Sequence, residues 1–167
     1  YLALTDAAVR REYDTAFKVF PPLRTKDDVL WLKRGLREGV IDCISSDHTP
    51  VPPELKELEF GRAPFGVVGL ETLLPVSLTM LFHSGDMPVS QLIAALTTNP
   101  ARVLRLEGRK GALTPGHDAD LALIDPNQEW TLDPSKLFSR CKNTCFAGMK
   151  LKGRVKFTIV RGRMLDV

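Results

Sequence analysis

Residues 39–50, GVIDCISSDHTP, place an apolar run directly before a polar end. The apolar residues predict a short buried strand over residues 40–46, and Gly39 is expected to end the helix before it. A helix leading into a parallel strand with polar residues at its C-terminal end is the repeating unit of a (β/α) barrel. Active sites in such barrels lie at those strand ends. The stretch therefore predicts an α/β barrel segment with its polar residues near a site.

Asp47 admits two interpretations at this position. Aspartate often caps the turn that follows a strand, by accepting a hydrogen bond from the backbone. A carboxylate just past a barrel strand can also take a proton from water or bind a metal ion. The spacing of one aspartate and one histidine leaves both interpretations open.

The composition bounds the function. The 167 residues suffice for one domain with a sizeable core, and the net charge of +3 is too small to indicate a nucleic-acid or anionic-membrane partner. The three cysteines have no C-x-x-C spacing, which predicts reduced thiols in a cytoplasmic protein rather than a structural zinc site. No apolar run reaches the roughly 18 residues that span a bilayer, and no signal peptide is visible. Because the sequence starts at Tyr1 without methionine, we expect it to be part of a longer protein.

The pattern along the chain changes once. Helical periodicity predicts helices over residues 5–13, 26–39, 70–85 and 88–106, with Thr25 as the N-cap of the second and a break at Asn99–Pro100. After Gly108 the pattern alternates, with turns at Pro115–Gly116 and Arg161–Gly162 and a looped segment over residues 133–152. We therefore expect a barrel segment over residues 1–107 and part of a small β domain over residues 108–167.

A series of motifs then identifies a family. In order they read YLALTD, YDTAFKVFPPLR, IDCISSDHTP, PFGVVGLETLLP, TTNPARVL, KGALTPGHDADLALIDP, EW, KNTCFAGMKLKGRV and TIVRGRM. Together they resemble the C-terminal part of a long, class I dihydroorotase of the amidohydrolase superfamily. The resemblance covers essentially the whole chain, and it implies the C-terminal part of a (β/α)8 barrel followed by part of a small β domain.

The resemblance also implies a chemistry. Dihydroorotases interconvert dihydroorotate and N-carbamoyl-L-aspartate in pyrimidine biosynthesis, usually with zinc, which brings the pKa of bound water to about 7. Asp47 matches the aspartate of the family's D-H-x-P motif, and it is expected to be metal ligand and general acid/base together. The family's backbone contacts to substrate map to Gly66, Val67, Val68 and Gly69, where glycine lets the main chain approach a ligand closely.

Two residues depart from the family pattern. Phe20 stands where an asparagine commonly binds substrate, and Val51 stands where a second histidine does so. Each lost polar partner costs on the order of 1–3 kcal/mol, so both together weaken binding of a dicarboxylate by about a hundredfold. His48 is retained, and we expect it to be a structural residue bonded to nearby backbone.

The resemblance places the other metal ligands, an H-x-H pair, a lysine and further histidines, upstream of Tyr1. One carboxylate does not hold zinc, so the segment alone is expected neither to bind metal tightly nor to catalyse.

Three functions stay open. The parent protein is an active dihydroorotase, or a silent dihydroorotase-like partner of aspartate transcarbamoylase, or a hydrolase of another cyclic amide such as a hydantoin or allantoin. Phe20 and Val51 favour the silent partner, whereas Asp47 and the PFGVVGLE stretch favour an enzyme. The expected partners are dihydroorotate or a related cyclic amide, with aspartate transcarbamoylase as a further candidate, and the protein is expected to be a homo-oligomer.

Overall fold

The structure is a computed structural model, and it describes residues 1–10 and 13–165. Within these residues, helices α1 to α6 lie at Asp6–Arg10, Lys26–Arg37, Pro53–Lys56, Leu73–Ser77, Val89–Leu96 and Thr98–Val103. Strands β1, β2 and β3 lie at Leu121–Thr131, Lys150–Val160 and Arg163–Leu165. All three strands therefore belong to the C-terminal part of the chain, where alternation was predicted.

Helix α2 begins and ends as its sequence predicts. The Thr25 hydroxyl accepts a hydrogen bond from the Asp28 backbone N–H, and the Asp28 carboxylate accepts one from the Thr25 N–H. This capping box satisfies two of the backbone donors that a helix start leaves without partners. Gly39 follows the last turn with φ +74°, a conformation that glycine adopts without strain.

The other predicted helices differ from the structure at their ends and breaks. The helix predicted over residues 5–13 is observed at Asp6–Arg10, and residues 11 and 12 lie outside the described part of the chain. The helix predicted over residues 70–85 is α4 continued by a π-helical turn at Leu78–Phe82. The break predicted at Asn99–Pro100 is wrong by two residues, because it lies at Thr97. Proline is tolerated in the first turn of α6, where its missing N–H has no intrahelical partner to lose.

The strand predicted over residues 40–46 is not present as a strand. The segment runs between α2 and the proline-rich loop, and Ile44 N–H donates to the Ala95 carbonyl at 3.1 Å. A strand requires a neighbouring strand for its hydrogen-bond ladder. Among the described residues, the only bridge close to this segment is the isolated parallel one between His48 and Val67. Apolar character alone therefore did not suffice to form the strand.

The three strands form one antiparallel sheet in the order β1-β2-β3. Arg161 and Gly162 form the turn between β2 and β3, with φ +50° and +74°, as the sequence predicted. Strand β1 is interrupted between Asp125 and Glu129, where the register shifts and Pro126 removes one ladder donor. The Asp125 carboxylate accepts hydrogen bonds from the two backbone N–H groups that follow the proline.

The sheet packs against the helical part through β2. The Lys152 N–H donates to the Thr79 hydroxyl at 2.8 Å, and the His83 Nε2 bonds the Pro126 carbonyl at 2.8 Å. Leu78 is fully buried here, in a core whose other buried members are Leu36, Leu81, Met87 and Leu92. These contacts join the sheet to the helices, while a domain boundary at 107/108 stays a prediction. No helix in the described part of the chain is both long and apolar enough to cross a membrane.

Gly153 of β2 lies against Leu78, and this contact gives a stability prediction. A Cβ at Gly153 would lie 2.3 Å from Leu78 Cδ1, and the residue has φ +100°. Gly148 has a similar left-handed backbone, φ +72°, but no heavy atom within 4 Å of its Cβ position. We expect Gly153→Ala to lower the free energy of unfolding by about 1–3 kcal/mol more than Gly148→Ala, measured by urea denaturation. Equal losses in the two variants would show that Leu78 yields freely.

Candidate active site

Two loops meet at the site. We name residues 47–51 the aspartate loop and residues 64–69 the glycine loop. The Thr49 N–H donates to the Val67 carbonyl at 2.8 Å, and His48 Nδ1 accepts the Gly69 N–H at 3.1 Å. His48 is thus bonded to nearby backbone, as the sequence predicted, and its Nδ1 carries no proton in this arrangement.

The two glycines are required by the contact between these loops. A Cβ at Gly66 would lie 2.4 Å from Thr49 Cγ2, and Gly66 has φ +124°. A Cβ at Gly69 would lie 2.2 Å from the Ser46 carbonyl oxygen. The sequence assigned the glycines to close approach of a ligand, whereas their near neighbours in the structure are Thr49 and Ser46. A backbone contact to substrate at residues 66–69 stays a prediction.

Asp47 faces an open cavity of about 740 Å³. Its backbone has φ +45°, and within the described residues its carboxylate accepts no hydrogen bond. Asp47 therefore does not cap the turn that follows, which was one of its two interpretations. The cavity also contacts Phe20, Val67, Val68 and Gly69, and most of its remaining lining is apolar side chains of α2, α4 and the segments around them.

The two departures from the family pattern occupy different environments. Phe20 lines the cavity and is 69% exposed, whereas Val51 is only 5% exposed and does not line it. Phe20 stacks edge-to-face on Phe65, which is 49% exposed, with ring centroids 5.6 Å apart. Phe20 thus joins the cavity lining to Phe65, which does not line it, while Val51 is buried outside the lining.

Two lysines donate hydrogen bonds to the backbone of residues 60–64, which lead into the glycine loop. Lys18 Nζ donates to the Phe60 carbonyl at 2.6 Å and lies 4.8 Å from the centre of the Phe65 ring. Lys56 Nζ donates to the Thr15 and Pro64 carbonyls, at 3.0 Å each. Burial, and then the positive charge of Lys18, lowers the pKa of Lys56 below its ordinary value. The two lysines thus bond the backbone of the segment that precedes Phe65.

Two further groups at the cavity have shifted pKa values. Burial raises the pKa of the Cys145 thiol to about 11, so the group stays protonated at neutral pH. Burial, and then the negative charge of Asp47, raises the pKa of the Tyr1 phenol. The second effect is consistent with an Asp47 carboxylate directed into the cavity. All three cysteines are free thiols, as their spacing predicted.

The described residues do not fit a metal ion on their own. No group of three or more His, Cys, Asp or Glu side chains in this part of the chain is close enough to hold one. Asp47 is a single carboxylate, and zinc sites in proteins take three or four protein ligands. A zinc site at Asp47 therefore needs ligands from outside residues 1–10 and 13–165.

Sequence comparison defines the class of protein. The sequence profile of the amidohydrolase family matches residues 8–165. The chain belongs to the amidohydrolase family. Within it, the chain is similar to dihydroorotases: it is 44% identical over 165 residues to the one from Geobacter sp. strain M21. It is 46% identical over 164 residues to the one from Syntrophotalea carbinolica. These alignments cover 99% and 98% of this chain but 38% of each relative, so the chain spans well under half of their length.

Solved structures give the same fold. The L-hydantoinase (dihydropyrimidinase) from Arthrobacter aurescens matches with a TM-score of 0.92 at 34% identity, over 98% of this chain and 37% of that one. The dihydropyrimidinase from Brevibacillus agri NCHU1002 matches with a TM-score of 0.89 at 25% identity, with the same coverage. The chain thus has the fold of the C-terminal part of an amidohydrolase (β/α)8 barrel, incomplete in this chain, followed by part of a small β domain.

Sequence reasoning missed Phe65, Lys18 and Asn143. Asn143 bonds both loops at the site, although it lies between the 3-10 turn Pro134–Lys136 and β2. Its position in the KNTCFAGM motif was a signal, but the motif does not say which backbone groups the amide reaches. The contact depends on chain segments far apart in sequence.

Proposed function

We propose that this chain contributes the acid/base carboxylate and a substrate-binding loop to a cyclic amidohydrolase that acts on dihydroorotate. The observation that carries the proposal is the Asp47 carboxylate, which faces the cavity beside residues 67–69 without a hydrogen-bond partner in the described chain. The identity of 44% to a dihydroorotase supports this substrate.

The reaction assigns a task to each group. Asp47 takes a proton from the attacking water as the oxygen–carbon bond forms, and gives it to the ring nitrogen as the carbon–nitrogen bond breaks. Among the described residues the Val68 carbonyl accepts no hydrogen bond, so it is available to a ring N–H of the substrate. The Val67 carbonyl and the Gly69 N–H are already paired with the aspartate loop. The product is N-carbamoyl-L-aspartate.

Zinc is part of this proposal only through ligands outside the described residues, with Asp47 as the single ligand from this chain. The direct test is to purify the protein as its gene encodes it, measure its zinc content, and assay ring opening of dihydroorotate. Turnover supports the proposal. A zinc-containing protein that opens neither dihydroorotate nor a hydantoin contradicts it, and favours the silent partner of aspartate transcarbamoylase.

A second candidate substrate is a hydantoin with an apolar 5-substituent. The observation that favours it is the exposed Phe20–Phe65 pair, of which Phe20 lines the cavity, because an aromatic ring binds an apolar substituent better than a carboxylate. In this proposal the apolar 5-substituent of the hydantoin takes the position that the carboxylate of dihydroorotate would take.

The homo-oligomer, aspartate transcarbamoylase as a partner and the cytoplasmic location stay predictions.

Phe20 is the residue that separates these substrates. We expect Phe20→Asn to raise kcat/KM for dihydroorotate about tenfold, since a recovered hydrogen bond contributes about 1.4 kcal/mol of transition-state binding. The same change should lower kcat/KM for 5-benzylhydantoin.

Val51→His, which the family resemblance also suggested, is expected to destabilise the fold because Val51 is buried.

Phe138→Asn is the matched control, because Phe138 is exposed and does not line the cavity. It should leave both substrates unaffected. If Phe20→Asn changes kcat/KM for neither dihydroorotate nor 5-benzylhydantoin, other residues select the substrate and the role given to the aromatic pair is wrong.

A further inference from the structure

Asn143 is bonded to both loops of the candidate active site. Its Oδ1 accepts the Val51 N–H at 3.1 Å, and its Nδ2 donates to the Thr49 carbonyl at 3.3 Å and the Gly66 carbonyl at 3.1 Å. Its own carbonyl accepts the Val68 N–H at 2.8 Å. One residue thus satisfies four backbone groups, two on each loop.

The pattern of donors and acceptors specifies an amide side chain. The Val51 N–H can only donate, and the two carbonyl oxygens can only accept, so the side chain must offer one acceptor and two donors together. Asparagine has both. Aspartate has the same shape but no donor at neutral pH, and its charge would face two carbonyl oxygens. The same pattern fixes which end of the Asn143 amide is oxygen.

The bonded groups belong to the two loops that carry the residues to which the proposed function gives chemical tasks. The aspartate loop begins at Asp47, and the glycine loop carries the Val68 carbonyl. Direct bonds between the loops involve Thr49 with Val67 and His48 with Gly69. Among the described residues, Asn143 is the partner of the Val51 N–H and of the Gly66 carbonyl, whereas the Gly66 N–H donates to the Lys18 carbonyl at 2.9 Å. Asn143 therefore adds bonds from one side chain to both loops, at Val51 and Gly66, which the direct bonds between the loops do not include.

We propose that Asn143 is a positioning residue, which holds the two loops in one arrangement and so places Asp47 against the substrate. It reaches the site from the segment before β2, so it also ties the site to the part of the chain that forms the sheet. This inference rests on the proposed function for its catalytic consequence, but the bonds themselves can be tested without activity.

The test uses Asn143→Asp in the gene-encoded protein, with Asn127→Asp as the matched control. Asn127 lies exposed in β1, away from both loops. Hydrogen exchange by mass spectrometry reports on the peptides that cover residues 47–51 and 64–70. We expect exchange in both peptides to increase at least tenfold in Asn143→Asp, with no change in the β1–β2 peptides, because the loops open locally. Asn127→Asp should change neither.

Kinetics separate a positioning role from a purely structural one. We expect kcat for dihydroorotate to fall about a hundredfold in Asn143→Asp, since a catalytic group displaced by about 1 Å costs that much. KM should change by less than about threefold, because Thr49 and His48 still hold residues 67 and 69. If Asn143→Asp fails to fold, Asn143→Ala replaces it, with the same expected directions and no new charge.

Each outcome decides the inference. Unchanged exchange in both loops overturns it, and so does an unchanged kcat in a protein whose loops exchange faster. If the unmodified protein opens no cyclic amide, the proposed function fails, and the exchange rates then decide alone whether Asn143 holds the loops.

Discussion

Asp47→Asn is expected to lower kcat for dihydroorotate about a thousandfold, because an amide cannot take up the proton that the attacking water releases. The substitution keeps the size and shape of the side chain, and the Asp47 carboxylate accepts no hydrogen bond from the described residues that an amide would lose. We therefore expect the thermal midpoint to stay within about 2 °C of the unmodified protein. The measurements are initial rates of ring opening and a thermal unfolding scan.

Asp42→Asn is the matched control for this prediction. Asp42 is an exposed carboxylate five residues earlier, and its backbone carbonyl, not its side chain, accepts the bond from Asn99. It should retain full activity. An Asp47→Asn protein with more than a tenth of the original kcat would show that another group moves the proton.

Gly69→Ala is expected to remove activity and stability together. Its Cβ would lie 2.2 Å from the Ser46 carbonyl oxygen, which belongs to the backbone and cannot rotate away. Residue 69 must therefore move away from Ser46, and the bond from the Gly69 N–H to His48 in the aspartate loop is lost. We expect the free energy of unfolding to fall by about 2–3 kcal/mol, as for other overpacked sites. We also expect kcat/KM to fall at least tenfold.

Gly61→Ala tests whether the effect belongs to the contact. Gly61 precedes the glycine loop and has no heavy atom within 4 Å of its Cβ position. We expect it to change stability by less than about 0.5 kcal/mol, as exposed substitutions usually do. A Gly69→Ala protein as stable and active as Gly61→Ala would mean that the loops have room to separate without consequence.

Features set by neighbours in sequence were predictable. Thr25 and Asp28 are three residues apart, so their capping box needed no knowledge of the fold. The turn at Arg161–Gly162 was likewise visible, because it joins two alternating segments and has the positive φ that such turns require.

Features set by distant parts of the chain were not. The apolar segment over residues 40–46 looked like a strand, but a strand needs a partner that the described chain supplies only at Val67. Phe20 and Val51 looked equivalent as apolar replacements, yet Phe20 lines the cavity and Val51 is buried outside its lining. Composition and periodicity carry no information on which of two apolar side chains faces a cavity.

The sequence by itself determined the family, the change from a helical part to a β part, and Asp47 as the candidate acid/base. It did so because motifs, caps and turns are local patterns. Only the tertiary structure decided that the glycines serve the contact between two loops, that Phe20 pairs with Phe65, and that Asn143 bonds Val51 from 92 residues away. The physical reason is that close packing and backbone hydrogen bonding join whichever segments the fold brings together, whatever their distance along the chain.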